Sequence, residues 1–102
     1  MSSTPQYITL TDGGHLLAEA TIRSATHRPS LHADLHVEAG HLPVGTRTRL
    51  VDAVLTAAGS GTHLQVTLPA GDGEILDRLR ERCQNLQTRA AGASCLATGT
   101  LR

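Results

Sequence analysis

Between positions 31 and 38 apolar and polar residues alternate without a break, Leu31, Ala33, Leu35 and Val37 against His32, Asp34, His36 and Glu38. Successive side chains of a strand point to opposite faces, so this run gives one side of a sheet to a core and the other to water. The strand is read over about 31–39, and the rest of the chain has to supply its neighbours and a layer over its apolar side.

The neighbours are legible on both sides. "YITLTDGGHLLAEATIRSA" holds two extended segments around Asp12-Gly13-Gly14, a pair of glycines suited to the positive φ of a tight hairpin, with strands over about 7–11 and 15–25. Residues 1–6 read as a loose start. Pro29 biases the residue before it toward extended geometry, and "THRPS" marks a turn. After a loop from Gly40 to Gly45 the period changes from two to 3.6: Leu50, Val51, Val54, Leu55 and Ala58 share one stripe, and Gly59 is placed as a left-handed stop, giving a helix over about 46–58. "HLQVTLP" alternates again and ends at Pro69. Asp72 is a good N-cap for a second helix, with Glu74 in its first turn and Ile75, Leu76, Leu79 and Cys83 on its apolar stripe. The arginines at 78, 80 and 82 fall toward its far end, as the helix dipole prefers. From Leu86 the chain is extended again, broken near Gly92, with "SCLATGTL" as the last strand.

The order is β-β-β-α-β-α-β. Three consecutive strands favour antiparallel pairing and the two helical crossovers favour parallel pairing, so the expected fold is α+β, a mixed sheet with both helices packed on it. A length of 102 residues corresponds to one domain with one core. That core has no Phe or Trp and relies on 15 Leu, 5 Val, 3 Ile and many Ala. Each of the larger side chains gives about 1.5–3 kcal/mol on burial, so self-association through a sheet edge or an apolar face is an expected supplement.

Charge narrows the partners. Nine arginines balance nine acidic residues, there is no Lys, and Tyr7 is the single aromatic residue. Such a chain lacks both the positive field that nucleic acid or an anionic membrane attracts and a stacking platform for single strands. "MSSTPQ" is not a signal peptide and no apolar run approaches a membrane span, so a cytoplasmic location is expected, with a second copy or another protein as partner. Cys83 and Cys95 have no zinc spacing and read as reduced, apolar residues.

Two stretches carry candidate chemistry. Along the strand, His32 and Asp34, or Asp34 and His36, lie roughly 6.5–7 Å apart on one face, whereas His32 and His36 are about 13 Å apart. A metal ion on this row needs a third ligand from another strand or from His41, and the alternative is the solvated face of an antiparallel sheet. His15, His27 and His63 are scattered singly. The second stretch is "LPVGTRTRL". A helix start carries partial positive charge and free N–H groups, yet this one opens with Arg47 and Arg49. Either Thr46 or Thr48 caps the helix and the arginines are ordinary surface residues, or the loop binds an anion such as a phosphate. No Gly-x-Ser-x-Gly elbow is present, Ser60 lies in a turn of small residues, and no catalytic residue is assigned.

The element order from His15 to Leu101 is similar to the later half of the GNAT-type N-acetyltransferase fold. In that family the loop before the corresponding helix reads Arg or Gln, two residues, Gly, any residue, then Gly or Ala, and its backbone N–H groups hold the coenzyme A pyrophosphate. Over "LPVGTRTRLVDAVL", Gly45 matches the first small position and Arg47 departs from the second. The family's opening helices have no counterpart here. The resemblance implies coenzyme A as ligand and Gly45, Thr46, Arg47, Thr48 and Arg49 as the phosphate-binding stretch of a reduced acyltransferase-like protein. Beside it stands the reading of a non-catalytic, homodimeric interaction domain.

Overall fold

A computed structural model describes residues 5–24 and 30–102. The "THRPS" turn and His27 fall largely or wholly outside the described residues, as do residues 1–4. The elements are β1 (Gln6–Asp12), β2 (His15–Ser24), β3 (Ser30–Val37), α1 (Thr46–Ala58), β4 (His63–Pro69), α2 (Gly73–Arg82), β5 (Cys83–Ala91) and β6 (Ser94–Leu101). The order read from the sequence stands, and the extended chain on the near side of Gly92 forms a strand of its own, β5.

The six strands make one sheet in the order β1-β2-β3-β4-β6-β5. Gly13 and Gly14 take φ values of 58° and 83° and close the β1–β2 hairpin, the backbone that two adjacent glycines adopt without a Cβ clash. β2 pairs antiparallel with β3, and β3 pairs in parallel with β4 through the α1 crossover. The second crossover does not give an adjacent parallel pair. β6 returns antiparallel between β4 and β5, so β5 runs parallel to β4 two positions away. A hairpin strand needs only the two-residue turn at Gly92 to pair, and it fills the gap that the longer α2 crossover leaves.

The alternation sorts the faces as expected. Ala18, Ala20 and Ile22 of β2, Leu31, Ala33 and Leu35 of β3, Leu64, Val66 and Leu68 of β4, and Ala97 and Leu101 of β6 are buried on one side. α1 lies over β1, β2 and β3, α2 over β5, and the two helices touch. Leu50, Val51, Val54, Leu55, Ile75 and Leu79 close the same core. The opposite face carries Glu19, Arg23, His32, Asp34, His36 and the polar residues of β4 to β6, and lies open among the described residues.

Three local details depart from the sequence reading. Gly59 ends α1 with φ 85° and ψ 157°, a positive-φ stop outside the left-handed helical region. Cys83 is buried, but its backbone is already extended (φ −120°, ψ 150°) and it opens β5. Its side chain continues the helical stripe from Leu79 while its N–H bonds the Leu79 carbonyl. Finally, β5 begins three residues earlier than the periodicity indicates, because a bulge between Gln84 and Gln87, with Asn85 at φ 58°, interrupts the alternation.

The arginines near the end of α2 do more than complement its dipole. Arg78 donates through Nε and Nη2 to the two carboxylate oxygens of Asp52 on α1, at 2.8 and 3.0 Å, and Arg82 donates to Asp52 at 3.2 Å. The paired guanidinium of Arg78 holds the Asp52 carboxyl below the usual carboxylate range. A bidentate Arg–carboxylate pair fixes orientation as well as charge, so this node sets how α1 lies against α2.

Candidate anion-binding site at the start of α1

The β3–α1 loop brings the chain from the carboxyl end of β3 to the helix. Thr46 is only 2% exposed and its hydroxyl donates to the Pro43 carbonyl at 2.7 Å, so it locks the loop and does not cap the helix. Thr48 makes no cap either. The N-cap position is Gly45, at φ 86° and ψ 0°, with no side-chain hydrogen bond to the helix start. Arg49 N–H donates to the Gly45 carbonyl at 2.9 Å, while no carbonyl one turn back accepts from the N–H groups of Arg47 and Thr48. The first turn holds no acidic residue. A Cβ built on Gly45 meets no atom within 4 Å, so the approach to this corner is open.

α2 begins beside it with the opposite chemistry. Asp72 accepts from Ile75 N–H at 3.2 Å and Glu74 stands in the first turn, so this helix start is satisfied within the chain. The second Asp72 oxygen accepts from Arg47 Nε at 2.8 Å, and the Asp72 side chain is 9% exposed. The cation at the start of α1 thus has a carboxylate partner 25 positions away, which offsets its unfavourable place on the dipole. Arg49 has no ion pair among the described residues. A cavity of about 450 Å³ lies between the two helix starts, bordered by Arg47, Pro69, Ala70, Asp72 and Glu74.

The central strands also stop pairing here. The β3–β4 register ends at Asp34 and Thr67, although β3 continues to Val37 and β4 to Pro69. Ligands of parallel α/β sheets bind outside the carboxyl ends of the strands, where loops lead into helix starts. Gly45, Thr46, Arg47, Thr48 and Arg49 therefore share one corner of the fold, with Thr46 turned inward and Arg47 engaged by Asp72.

The histidine row is brought together with no such corner. Across β2 and β3, Arg23 stands opposite His32, Thr21 opposite Asp34 and Glu19 opposite His36. His36 Nε2 and Glu38 Oε2 are 2.9 Å apart, an exposed pair worth at most about 1 kcal/mol. Among the described residues no three His, Cys, Asp or Glu side chains come close enough to hold one ion. Both cysteines are free, and burial pushes the Cys83 thiol up, keeping it protonated.

The sequence points to Asp72 as a cap, but its pairing with Arg47 carries no sequence signal, since the two meet only when the helix starts are side by side. The Asp52 node is missed for the same reason.

No protein-family model matches the chain, and no curated protein matches it. Among solved structures it is similar to the crystal structure of an N-acetyltransferase from Staphylococcus aureus Mu50, with a TM-score of 0.63 and 16% identity over 95% of this chain and 67% of that one. At that identity the likeness is one of fold, and this chain shares the fold of that N-acetyltransferase over nearly its whole length.

Proposed function

We propose that this chain is a small binding domain that takes coenzyme A or an acyl-coenzyme A at the start of α1. The observation that carries the reading is the contrast between the two helix starts. α2 is capped by Asp72 and carries Glu74, whereas α1 opens on a left-handed glycine with free N–H groups, no cap and no acid. That arrangement suits a phosphate, which N–H donors and a helix dipole both favour. It stands at the carboxyl end of a parallel strand pair whose pairing has ended, in a fold shared with an N-acetyltransferase. Arg49 supplies the charge that Arg47 has already given to Asp72.

Titration calorimetry with acetyl-coenzyme A tests this directly. Saturable binding is expected, weakened about tenfold by Arg49→Glu through the reversed charge beside the phosphates, which corresponds to about 1.4 kcal/mol. Absence of binding at millimolar ligand, with the protein folded, overturns the reading.

A second reading, that of a homodimeric interaction domain, has its own support in β1. Among the described residues this edge strand pairs with β2 alone; it carries no charge from Gln6 to Thr11 and leaves Tyr7 69% exposed. Uncharged edges of high β-propensity invite pairing with another chain. A second copy meets it antiparallel about Ile8, which puts Tyr7 opposite Thr9 on the open face. Sedimentation velocity across a concentration series is expected to show a reversible dimer, and a monomer throughout the high micromolar range removes this reading.

A further inference from the structure

We propose that the open face of the sheet carries a separate binding site for a small carboxylate, centred on Arg89. The cavity there has a volume of about 530 Å³ and is lined by Gln65, Gln87, Thr88, Arg89, Leu96 and Thr98. It lies on the side of the sheet away from the helices and shares no residue with the ligand site proposed at α1.

Strand register builds it. Gln65 of β4, Thr98 of β6 and Gln87 of β5 stand directly opposite one another, so two carboxamides flank a hydroxyl in one row. The next row is Thr67, Leu96 and Arg89, which places an apolar floor beside a guanidinium. The β5 bulge between Gln84 and Gln87 determines which β5 side chains reach this face, since its one extra residue shifts the parity of the strand. The polar groups come from paired strands, the more rigid kind of support for a ligand.

None of these side chains is spent on the protein. Gln65, Gln87, Thr88, Arg89 and Thr98 make no hydrogen bond or ion pair among the described residues. By contrast Arg47, Arg78, Arg80 and Arg82 each hold a carboxylate. Along the Arg89 row the first carboxylate is Asp34, three strand spacings away across Leu96 and Thr67, or about 14 Å. A guanidinium with five donors, two amide groups and the Thr98 hydroxyl over one leucine complement a negatively charged, planar acceptor carrying further polar groups. A carboxylate of a few carbons fits that set and the volume.

The test is a titration of the isotope-labelled protein followed by nitrogen–proton correlation spectra, with succinate as probe, its neutral diamide and inorganic phosphate as comparisons, and Arg89→Gln as variant. Succinate is expected to shift the side-chain amides of Gln65 and Gln87 and the backbone of 87–89, 96 and 98 saturably. The diamide and Arg89→Gln are each expected to weaken binding at least tenfold, with the variant's spectrum otherwise unchanged. No saturable shift with succinate in the millimolar range overturns the site. Equal binding of phosphate, or equal shifts around Arg23, overturns it in favour of unspecific anion attraction.

Discussion

Leu50→Ala is expected to lower the unfolding free energy by about 2–5 kcal/mol. Leu50 is wholly buried, in the stripe of α1 that lies over β1, β2 and β3. The core-side residues of those strands include Ala18, Ala20 and Ala33, all within 2% of full burial. Small side chains on a hydrogen-bonded sheet have no rotamers with which to fill the space a leucine leaves, so most of the cavity persists. The chain has no Phe or Trp elsewhere to compensate. A domain of this kind is stable by about 5–15 kcal/mol in total, so the variant loses a large share and sits near its unfolding threshold. Urea denaturation measures it, with Leu50→Met as a control that keeps the volume and is expected to cost less than about 1.5 kcal/mol. A loss for Leu50→Ala under about 1 kcal/mol would contradict the placement of α1 on the sheet.

The second large effect is expected at Gly99. Its φ is not positive, so any side chain is acceptable to its own backbone, and the constraint comes from β5 alone. A Cβ there meets Leu86 Cδ1 at 3.1 Å, the Gln84 carbonyl oxygen at 3.2 Å and Leu86 Cα at 3.4 Å. Two of these three atoms belong to the backbone of the bulge, which can yield only by moving the strand. Gly99→Val adds a branched side chain against them and is expected to destabilise by about 1–3 kcal/mol, the usual cost of overpacking. Gly99→Ala is milder, because a gain in strand propensity offsets part of the contact strain. Thermal unfolding of the pair separates the two contributions. A valine variant as stable as the parent would mean that the bulge at Gln84–Gln87 relaxes freely.

These two sites differ in how they announce themselves. Leu50 sits on a stripe with Val51, Val54 and Leu55 that any helical reading places in the core. Gly99 lies inside "SCLATGTL", where nothing marks it as a point of close approach. The bulge that crowds it hides in "CQNLQ", whose polar residues obscure the start of β5. Periodicity is a record of burial, and a bulge that shifts parity erases the record locally.

The candidate sites divide along the same line. Gly45 as the entrance to α1, and Asp72 as the cap of α2, follow from residue type and position next to an apolar stripe. That Thr46 turns inward, that Arg47 answers Asp72, and that Arg49 is left with no partner in the described chain follow only from the two helix starts lying together. The histidines of β3 were the conspicuous feature of the sequence, yet strand register sets Arg23, Thr21 and Glu19 across from His32, Asp34 and His36 and yields no third ligand among the described residues. Less conspicuous residues, Gln65, Gln87, Arg89 and Thr98, gather into a cavity because β6 inserts between β4 and β5.

By itself the sequence determined the two helices and every strand but β5, which face of each is apolar, and hence a mixed sheet with two helices packed on it. Those properties are local, written in the spacing of side chains along one segment. Tertiary structure alone decided the strand order, the antiparallel return of β6, the Asp52 and Asp72 ion pairs and the two cavities. Each of these depends on residues distant in the chain meeting across a sheet or between helices, and no periodicity within one segment encodes such a meeting.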